Sequence, residues 1–176
     1  MNSFDMAIYD FINSFNNDAL TMFMKIITNF AHAGVFIGLT VISFIIIKDR
    51  KIGKYIALNL LIVFILNQCL KYIIARPRPL VEPLIHASGY SFPSGHSMVS
   101  FAFYGFLIYL INEYMSSKKR IFAIVGLAVL ILLIGISRIY LGVHYATDVI
   151  GGFLISLIYL AIYIKLIYKK EREKYE

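Results

Sequence analysis

The sequence predicts an all-α, polytopic membrane protein: a helix bundle with about five transmembrane helices and an N-terminal amphipathic helix. Of the 176 residues, 60% are hydrophobic and only 15% are charged. The apolar residues gather in five blocks, roughly residues 33–47, 55–70, 99–112, 121–136 and 149–164. With its flanks, each block reaches the roughly 20 residues that cross a bilayer core. A chain of this length cannot enclose five apolar helices in a soluble core, so one integral-membrane domain over residues 1–176 is expected.

The segment before the first block is predicted to lie on the membrane surface. Its large apolar residues recur at the spacing of one helix face: Phe4, Ile8, Phe11, Ile12 and Phe15. Such a helix would bury its apolar side in the headgroup region. The same segment carries Asp5 and Asp10 but no early Lys or Arg, so it lacks the positive region that begins a cleaved signal peptide.

The net charge of +7 is concentrated in three short basic segments. The first contains Lys48, Arg50, Lys51 and Lys54, the second Lys118, Lys119 and Arg120, and the third Lys169, Lys170, Arg172 and Lys174. Five spans place all three segments on one side, which the positive-inside rule identifies as the cytoplasm. A basic protein could instead bind nucleic acid, but short basic loops beside apolar spans are typical of topology signals. No nucleic-acid partner is therefore expected.

Polar residues interrupt the apolar pattern at three places on the opposite, outer side. The first is "KYIIARPRP", residues 71–79. Pro77 and Pro79 prevent a helix from continuing through them. The chain that turns there could direct Lys71 and Arg78 at one point. Taken alone, these basic side chains could equally reach the membrane interface by snorkelling.

The second place is "SFPSGHS", residues 91–97, at the start of the third apolar block. Ser94 is a favoured N-cap residue, and a helix N-terminus offers unpaired N–H groups and partial positive charge to an anion such as phosphate. Gly95 would let that anion approach the backbone closely, and His96 would lie at its rim. The alternative is a capped helix with an unrelated histidine.

The third place is "SRIYLGVHYATD", residues 137–148. Arg138 ends one span, and Asp148 follows His144 by four residues, so on a helix the last two would share a face. A carboxylate there would accept a hydrogen bond from the imidazole, fix its tautomer and leave the other ring nitrogen free to react. An Asp in a membrane segment is a functional candidate, although a neutral structural His–Asp pair would fit the same spacing.

Together the three places supply three cations, two histidines, one carboxylate and a helix N-terminus. This set fits phosphoryl transfer, because the transferred group is an anion whose transition state spreads charge over three oxygens. Arg binds two such oxygens at once, and Lys acts as a point charge. A non-catalytic anion carrier or channel would also need cations, but it would not need the His–Asp pair or the second histidine.

These residues resemble the tripartite signature of the type 2 phosphatidic acid phosphatase superfamily, which also occurs in soluble bacterial acid phosphatases and vanadium haloperoxidases. The matching residues are Lys71–x6–Arg78–Pro79, then Pro93–Ser94–Gly95–His96, then Ser137–Arg138–x5–His144–x3–Asp148. All three parts occur in order over residues 71–148, with no departure at the signature positions.

The resemblance implies a metal-independent phosphatase without a cofactor. His144 resembles the nucleophile that forms a phosphohistidine, Asp148 the carboxylate that orients it, and His96 the general acid. The phosphate would be bound by the remaining signature residues Lys71, Arg78, Ser94, Gly95 and Arg138. Arg76 matches no signature position and is left out of the catalytic set. His32 and His86 also match none, and both are expected to be solvated or internally hydrogen-bonded.

The predicted site lies at the outer ends of the spans, near the lipid headgroups, which favours a membrane lipid phosphate as substrate. By analogy with small bacterial members of the family, the expected substrate is undecaprenyl pyrophosphate, and the alternative is phosphatidylglycerophosphate or phosphatidic acid. A multi-pass protein of a bacterial cell membrane, with its active site on the outer face, is therefore expected. The sequence indicates no obligate protein partner.

Overall fold

The computed structural model describes residues 2–47 and 49–169 as seven α-helices and a final π-helical segment. The α-helices are α1 (Ser3–Asn13), α2 (Asp18–Asn29), α3 (Ala33–Ile46), α4 (Arg50–Ile74), α5 (Gly95–Tyr114), α6 (Lys119–Tyr140) and α7 (Ala146–Ile162), and α7 continues into the π-helical segment Tyr163–Lys169. Those two ranges contain no β-strand, and the predicted all-α class is confirmed. Lys48, Lys170, Arg172 and Lys174 of the basic segments lie outside the described residues.

Three helices are long and apolar enough to cross a membrane by length and composition: Arg50–Ile74, Lys119–Tyr140 and Ala146–Tyr168. A fourth span results if α2 and α3, which meet at a bend of 47°, are counted as one broken span. The sequence predicted about five spans. When the broken span is counted, four of the five predicted spans are present. The fifth, the block 99–112, lies in α5, a helix that is not among these candidates.

Helix α5 packs among α4, α6 and α7. Two of its serines, Ser97 and Ser100, are fully buried. Polar side chains of the adjacent helices bond to its backbone: Asn59 donates to the carbonyl of Ala102 at 3.0 Å, and Ser156 donates to that of Met98 at 2.7 Å. Such bonds satisfy polar groups that would be costly in hydrocarbon.

The directions of the helices bring the three signature segments to one end of the bundle. Asn59 contacts Ala102 while Asn67 contacts Met98, so α4 and α5 run antiparallel. Gly152, near the start of α7, lies against Ser94 at the start of α5. The end of α4, the start of α5, the end of α6 and the start of α7 therefore meet, and this end is called the site end below.

The N-terminal region contains two helices where the sequence predicted one surface helix before the first block. The structure divides the apolar residues that the sequence predicted on one face of this helix. Ile8 and Ile12 pack against buried residues of α6 and α7, whereas Phe4 and Phe11 are exposed by 49% and 65%. The exposed side is the one available to the membrane interface, as expected for an amphipathic helix.

Gly152 allows α7 to approach the turn that precedes α5. A Cβ added at this position would lie 3.2 Å from the backbone oxygen of Ser94 and 3.4 Å from the backbone nitrogen of Met98. Both neighbours are main-chain atoms, which cannot move aside as a flexible side chain can. The close contact between α5 and α7 therefore requires a residue without a side chain.

We expect Gly152→Leu to lower the unfolding temperature in detergent, because overpacking a tight contact costs about 1–3 kcal/mol. The matched control is Gly126→Leu on α6, where an added Cβ meets no atom of the described residues within 4 Å. Thermal unfolding of the two purified variants measures the difference. Equal unfolding temperatures for both variants and the wild type would contradict the role given to Gly152.

Candidate active site

The first signature segment begins in the last turn of α4. This helix ends at Ile74, and Ala75 follows in the left-handed conformation with a φ of 47°. The Nζ atom of Lys71 donates a hydrogen bond of 2.5 Å to the carbonyl oxygen of Tyr90. The Lys71 side chain is thereby directed from α4 toward the segment that leads into α5.

Arg78 forms hydrogen bonds with two loops at the site end. Its guanidinium donates to three backbone carbonyls, those of Gly89 at 3.0 Å, Ser88 at 2.7 Å and Val143 at 2.7 Å. The Nη1 atom of Arg78, which donates to Val143, also lies 3.3 Å from Nε2 of His144. Burial lowers the pKa of Arg78 from its ordinary value, but a guanidinium remains charged at neutral pH.

The second signature segment forms the N-terminus of α5, as predicted. Ser94 is the N-cap, and its Oγ accepts from the backbone N–H of Ser97. Ser94 is fully buried and is not among the residues that line the cavity described below. A Cβ on Gly95 would lie 3.1 Å from Oδ1 of Asn67, so this glycine accommodates a side chain of α4. His96 follows directly.

The third signature segment places His144 and Asp148 together, but not along one face of a helix as the sequence predicted. His144 lies in the connection before α7, and Asp148 is the third residue of that helix. The pair meets across the helix N-terminus, with Nδ1 of His144 at 3.4 Å from Oδ2 of Asp148. The predicted contact therefore exists, formed by the turn into α7.

The carboxylate of Asp148 is fully buried and has donors besides His144. Oδ2 accepts from Oγ of Ser91 and from the backbone N–H of Tyr145 at 2.9 Å. Oδ1 accepts from Nη1 of Arg76 at 2.6 Å. Sequence reasoning missed Ser91 and dismissed Arg76, although both lie inside or beside the signature segments. The available signal was that both residues are polar and lie within the segments that interrupt the apolar pattern.

One cavity of about 780 Å³ connects the predicted site residues. The signature residues that line it are Lys71, Arg78, Gly95, His96, Arg138 and His144. Both catalytic histidines of the prediction thus border the same space. Asp148 lies behind His144 and does not line the cavity. The two histidines outside the signature, His32 and His86, line it as well, and the ring of His32 is 6.0 Å from that of His96.

Three cations line the cavity: Lys71, Arg78 and Arg138. Within the described residues, no carboxylate lies within 4.0 Å of Lys71, Arg78 or Arg138. Arg138 is only 4% exposed; it donates to Oγ1 of Thr28 at 2.7 Å, while its Nε has no acceptor in the described part of the chain. The three cations that line the cavity therefore form no direct ion pair within the described residues.

The described ranges contain no group of three or more His, Cys, Asp or Glu residues placed to hold a metal ion. Metal independence remains a prediction, and an activity measurement in a chelator tests it.

The fold and the site define a class: a membrane-embedded helix bundle that gathers cations and imidazoles around one cavity at its site end. The model of the PAP2 superfamily matches residues 51–172 of the chain. The chain belongs to the PAP2 superfamily, which confirms the resemblance found in the sequence.

Similar proteins include phosphatidylglycerophosphatase B of Bacillus subtilis (strain 168), which is 45% identical over 98 residues. That match covers 53% of this chain and 47% of the Bacillus protein, so it spans about half of that relative's length. An undecaprenyl-diphosphatase of Sulfolobus acidocaldarius is 29% identical over 161 residues, which are 87% of this chain and 73% of that protein.

Two solved structures share the fold. One is a transmembrane PAP2-type phosphatidylglycerolphosphate phosphatase from Bacillus subtilis, with a TM-score of 0.85 and 33% identity over 98% of this chain and 86% of that chain. The other is LpxE of Aquifex aeolicus, with a TM-score of 0.73 and 25% identity over 91% of this chain and 94% of that one.

We expect His144 to stay neutral well below pH 6.5. Burial and the nearby charges of Arg138 and Arg78 lower its pKa to about 4, against the opposing effect of Asp148. Because the folded-state pKa lies below the ordinary value, the imidazole takes up a proton only as the pH falls toward 4. Titration of the ¹³C-labelled histidine rings by NMR, with His144→Gln to assign the signal, measures this midpoint. A midpoint at or above 6.5 would contradict the inferred burial.

Proposed function

We propose that this protein hydrolyses a phosphate from a membrane lipid phosphate or diphosphate, without a metal, through a phosphohistidine on His144. The observation that carries the proposal is the cavity in which three cations without carboxylate partners face two imidazoles. The names of the PAP2 relatives support a phosphatase.

The three cations suit the binding of a phosphate dianion. Lys71 and Arg78 are half-buried and Arg138 is buried, and like charges held close together repel one another unless an anion lies between them. A bound phosphate would supply the missing negative charge. Its equatorial oxygens would take hydrogen bonds from Lys71, Arg78 and Arg138, and these bonds would strengthen as charge develops in the transition state.

The contacts of His144 suit a nucleophile. Nδ1 lies beside Oδ2 of Asp148, and an Nη1–H of Arg78 points to Nε2. This arrangement favours the tautomer with its proton on Nδ1 and its lone pair on Nε2. In the proposed reaction, Nε2 attacks phosphorus and the bond from phosphorus to the leaving oxygen breaks.

His96 is proposed to carry the proton that the leaving oxygen needs. It lines the same cavity as His144, and a bound phosphate dianion would favour its protonated form. In the second half of the reaction, water attacks the phosphohistidine and gives a proton to His96. Inorganic phosphate leaves, and both histidines return to their starting states.

The apolar lining of the cavity supports a lipid substrate. Beyond the cations, apolar residues of α3 and α4 line the same space, among them Phe36, Ile37, Val41, Leu61 and Phe64. Ile37, Val41, Leu61 and Phe64 are also exposed on the outside of the bundle, so an acyl or isoprenoid chain could lie in this part of the cavity while its phosphate reaches the site end.

Undecaprenyl pyrophosphate is the proposed substrate. A diphosphate has one more phosphate group to place than a monoester, and His32 and His86 offer two further polar groups on the cavity wall. The Sulfolobus relative is named for this activity. The second candidate is phosphatidylglycerophosphate, or phosphatidic acid, which the name and the 45% identity of the Bacillus relative favour.

We expect the purified protein to release phosphate from undecaprenyl pyrophosphate or from phosphatidylglycerophosphate, and to do so in EDTA because no step uses a metal. His144→Ala should lower the rate by about 10³-fold or more, since it removes the attacking atom. Phosphate release from each lipid measures both effects.

Three outcomes would contradict parts of this proposal. Binding of the lipids without turnover would indicate an anion carrier. Loss of activity in EDTA that returns with a divalent cation would contradict metal independence. Phosphate release at the full rate by His144→Ala would contradict the nucleophile.

We also propose that the protein lies in a bacterial cell membrane with its site end outward. Two basic segments occur at the opposite end of the bundle, beside the starts of α4 and α6. Their described members are Arg50, Lys51, Lys54, Lys118, Lys119 and Arg120. By the positive-inside rule, that end faces the cytoplasm.

We expect a cysteine at the site end to react from outside the cell. In a Cys69→Ala background, Glu82→Cys places a thiol at the site end, and its matched control Ser116→Cys places one in the loop at the opposite end; both positions are exposed. A membrane-impermeant maleimide should label the first in intact cells and the second only after permeabilisation. The reverse pattern would place the site in the cytoplasm.

A further inference from the structure

Helix α1 contributes a buried carboxylate to the N-terminus of α7. Asp5 is 1% exposed although it lies on a short N-terminal helix. Its Oδ1 accepts from both the backbone N–H and the Oγ1 of Thr147, each at 2.9 Å. Thr147 is the second residue of α7, so Asp5 occupies the position of a capping side chain supplied by another helix.

Arg76 joins this carboxylate to that of Asp148. Its Nη2 donates to Oδ2 of Asp5 at 2.9 Å, and its Nη1 donates to Oδ1 of Asp148 at 2.6 Å and to Oγ1 of Thr147 at 2.7 Å. The guanidinium also lies 3.9 Å from the ring centroid of Tyr145. A planar fork of donors held in this way has little rotational freedom.

We propose that Arg76 is a positioning residue for the reaction and that Asp5 acts through it. The bond from Arg76 occupies Oδ1 of Asp148 and fixes the plane of the carboxylate. Oδ2 then faces Nδ1 of His144, together with Ser91. The Nδ1 contact, together with the contact of Arg78 at Nε2, favours the tautomer with its lone pair on Nε2, so the orientation of Asp148 affects the fraction of His144 ready to attack.

Arg76 differs from the three cavity cations in its partners and in its position. It is paired with two carboxylates and does not line the cavity, whereas Lys71, Arg78 and Arg138 line it and have no such partner. A phosphate in the cavity would therefore not take its charge from Arg76. Asp5 lies outside residues 51–172, the part of the chain that the PAP2 model matches.

The inference rests on the proposed function, and substitutions at the two positions test it. Arg76→Gln should lower kcat about 10–100-fold and leave KM within about 2-fold, since the substrate contacts stay intact. Arg76→Lys should lose less, because it keeps the charge but not the fork. Asp5→Asn should lose less than Arg76→Gln, and its matched control Asp10→Asn, at an exposed position of the same helix, should behave as the wild type.

The double variant tests whether Asp5 acts through Arg76. Asp5→Asn combined with Arg76→Gln should be no slower than Arg76→Gln alone, because the second substitution finds its partner already removed. Multiplied losses would overturn the route through Arg76. An unchanged kcat in Arg76→Gln, or a raised KM with kcat unchanged, would overturn the positioning role. If Arg76→Gln does not fold, Arg76→Lys replaces it in the same cycle.

A second readout does not depend on turnover. In ¹⁵N-histidine NMR at neutral pH, the wild type should show His144 protonated at Nδ1, and Arg76→Gln should show a mixture of both tautomers. An unchanged tautomer in Arg76→Gln would overturn the inference even if the lipid assays succeed. Absent phosphate release with the expected tautomer change would instead count against the proposed function and leave the positioning role standing.

Discussion

The geometry of the site end depends on one interaction, the solvation of the buried Asp148 carboxylate by protein groups. An ionised carboxylate in such a place costs several kcal/mol unless donors replace its water. These donors come from separate parts of the chain: the hydroxyl of Ser91, the backbone N–H of Tyr145 and the guanidinium of Arg76. The segment before α5, the turn into α7 and the loop after α4 are therefore all held by contacts with a single side chain.

The distribution of charge at the site end also depends on the partners of the Asp148 carboxylate. Arg76 is paired with both nearby carboxylates, so within the described residues none remains within 4.0 Å of Lys71, Arg78 or Arg138. An anion bound among these three cations would reduce their mutual repulsion. Donors that are fixed before the substrate arrives need no reorganisation when charge develops on the phosphoryl oxygens, which is the condition for strong transition-state stabilisation.

Local patterns in the sequence predicted much of the fold and the signature residues. The remaining features depend on contacts between residues that are far apart in the sequence. Apolar blocks predicted α4, α6 and α7, because residues that face lipid must be apolar along the whole helix. The block in α5 was predicted to be a span as well, but α5 is enclosed by other helices, and such a helix can hold buried serines. Asp5 and Thr147 are separated by 142 positions, and no spacing or propensity connects residues that far apart. Arg76 was set aside because it matched no signature position, yet its function depends on where Asp5 and Asp148 lie in the fold.

The ion pair of Asp5 with Arg76 and the apolar contacts of α1 both hold this helix against the bundle. Asp5 is fully buried and pairs with Arg76, whose side chain is 26% exposed, and a buried carboxylate without its partner is strongly destabilising. The apolar contacts of Ile8 and Ile12 with α6 and α7 also favour docking, since burial of apolar surface contributes roughly 25 cal/mol per Å². The exposed Phe4 and Phe11 lie on the side of α1 available to the membrane interface. One short helix thus joins the lipid boundary to the network around Asp148, and its apolar packing keeps Asp5 within reach of Arg76.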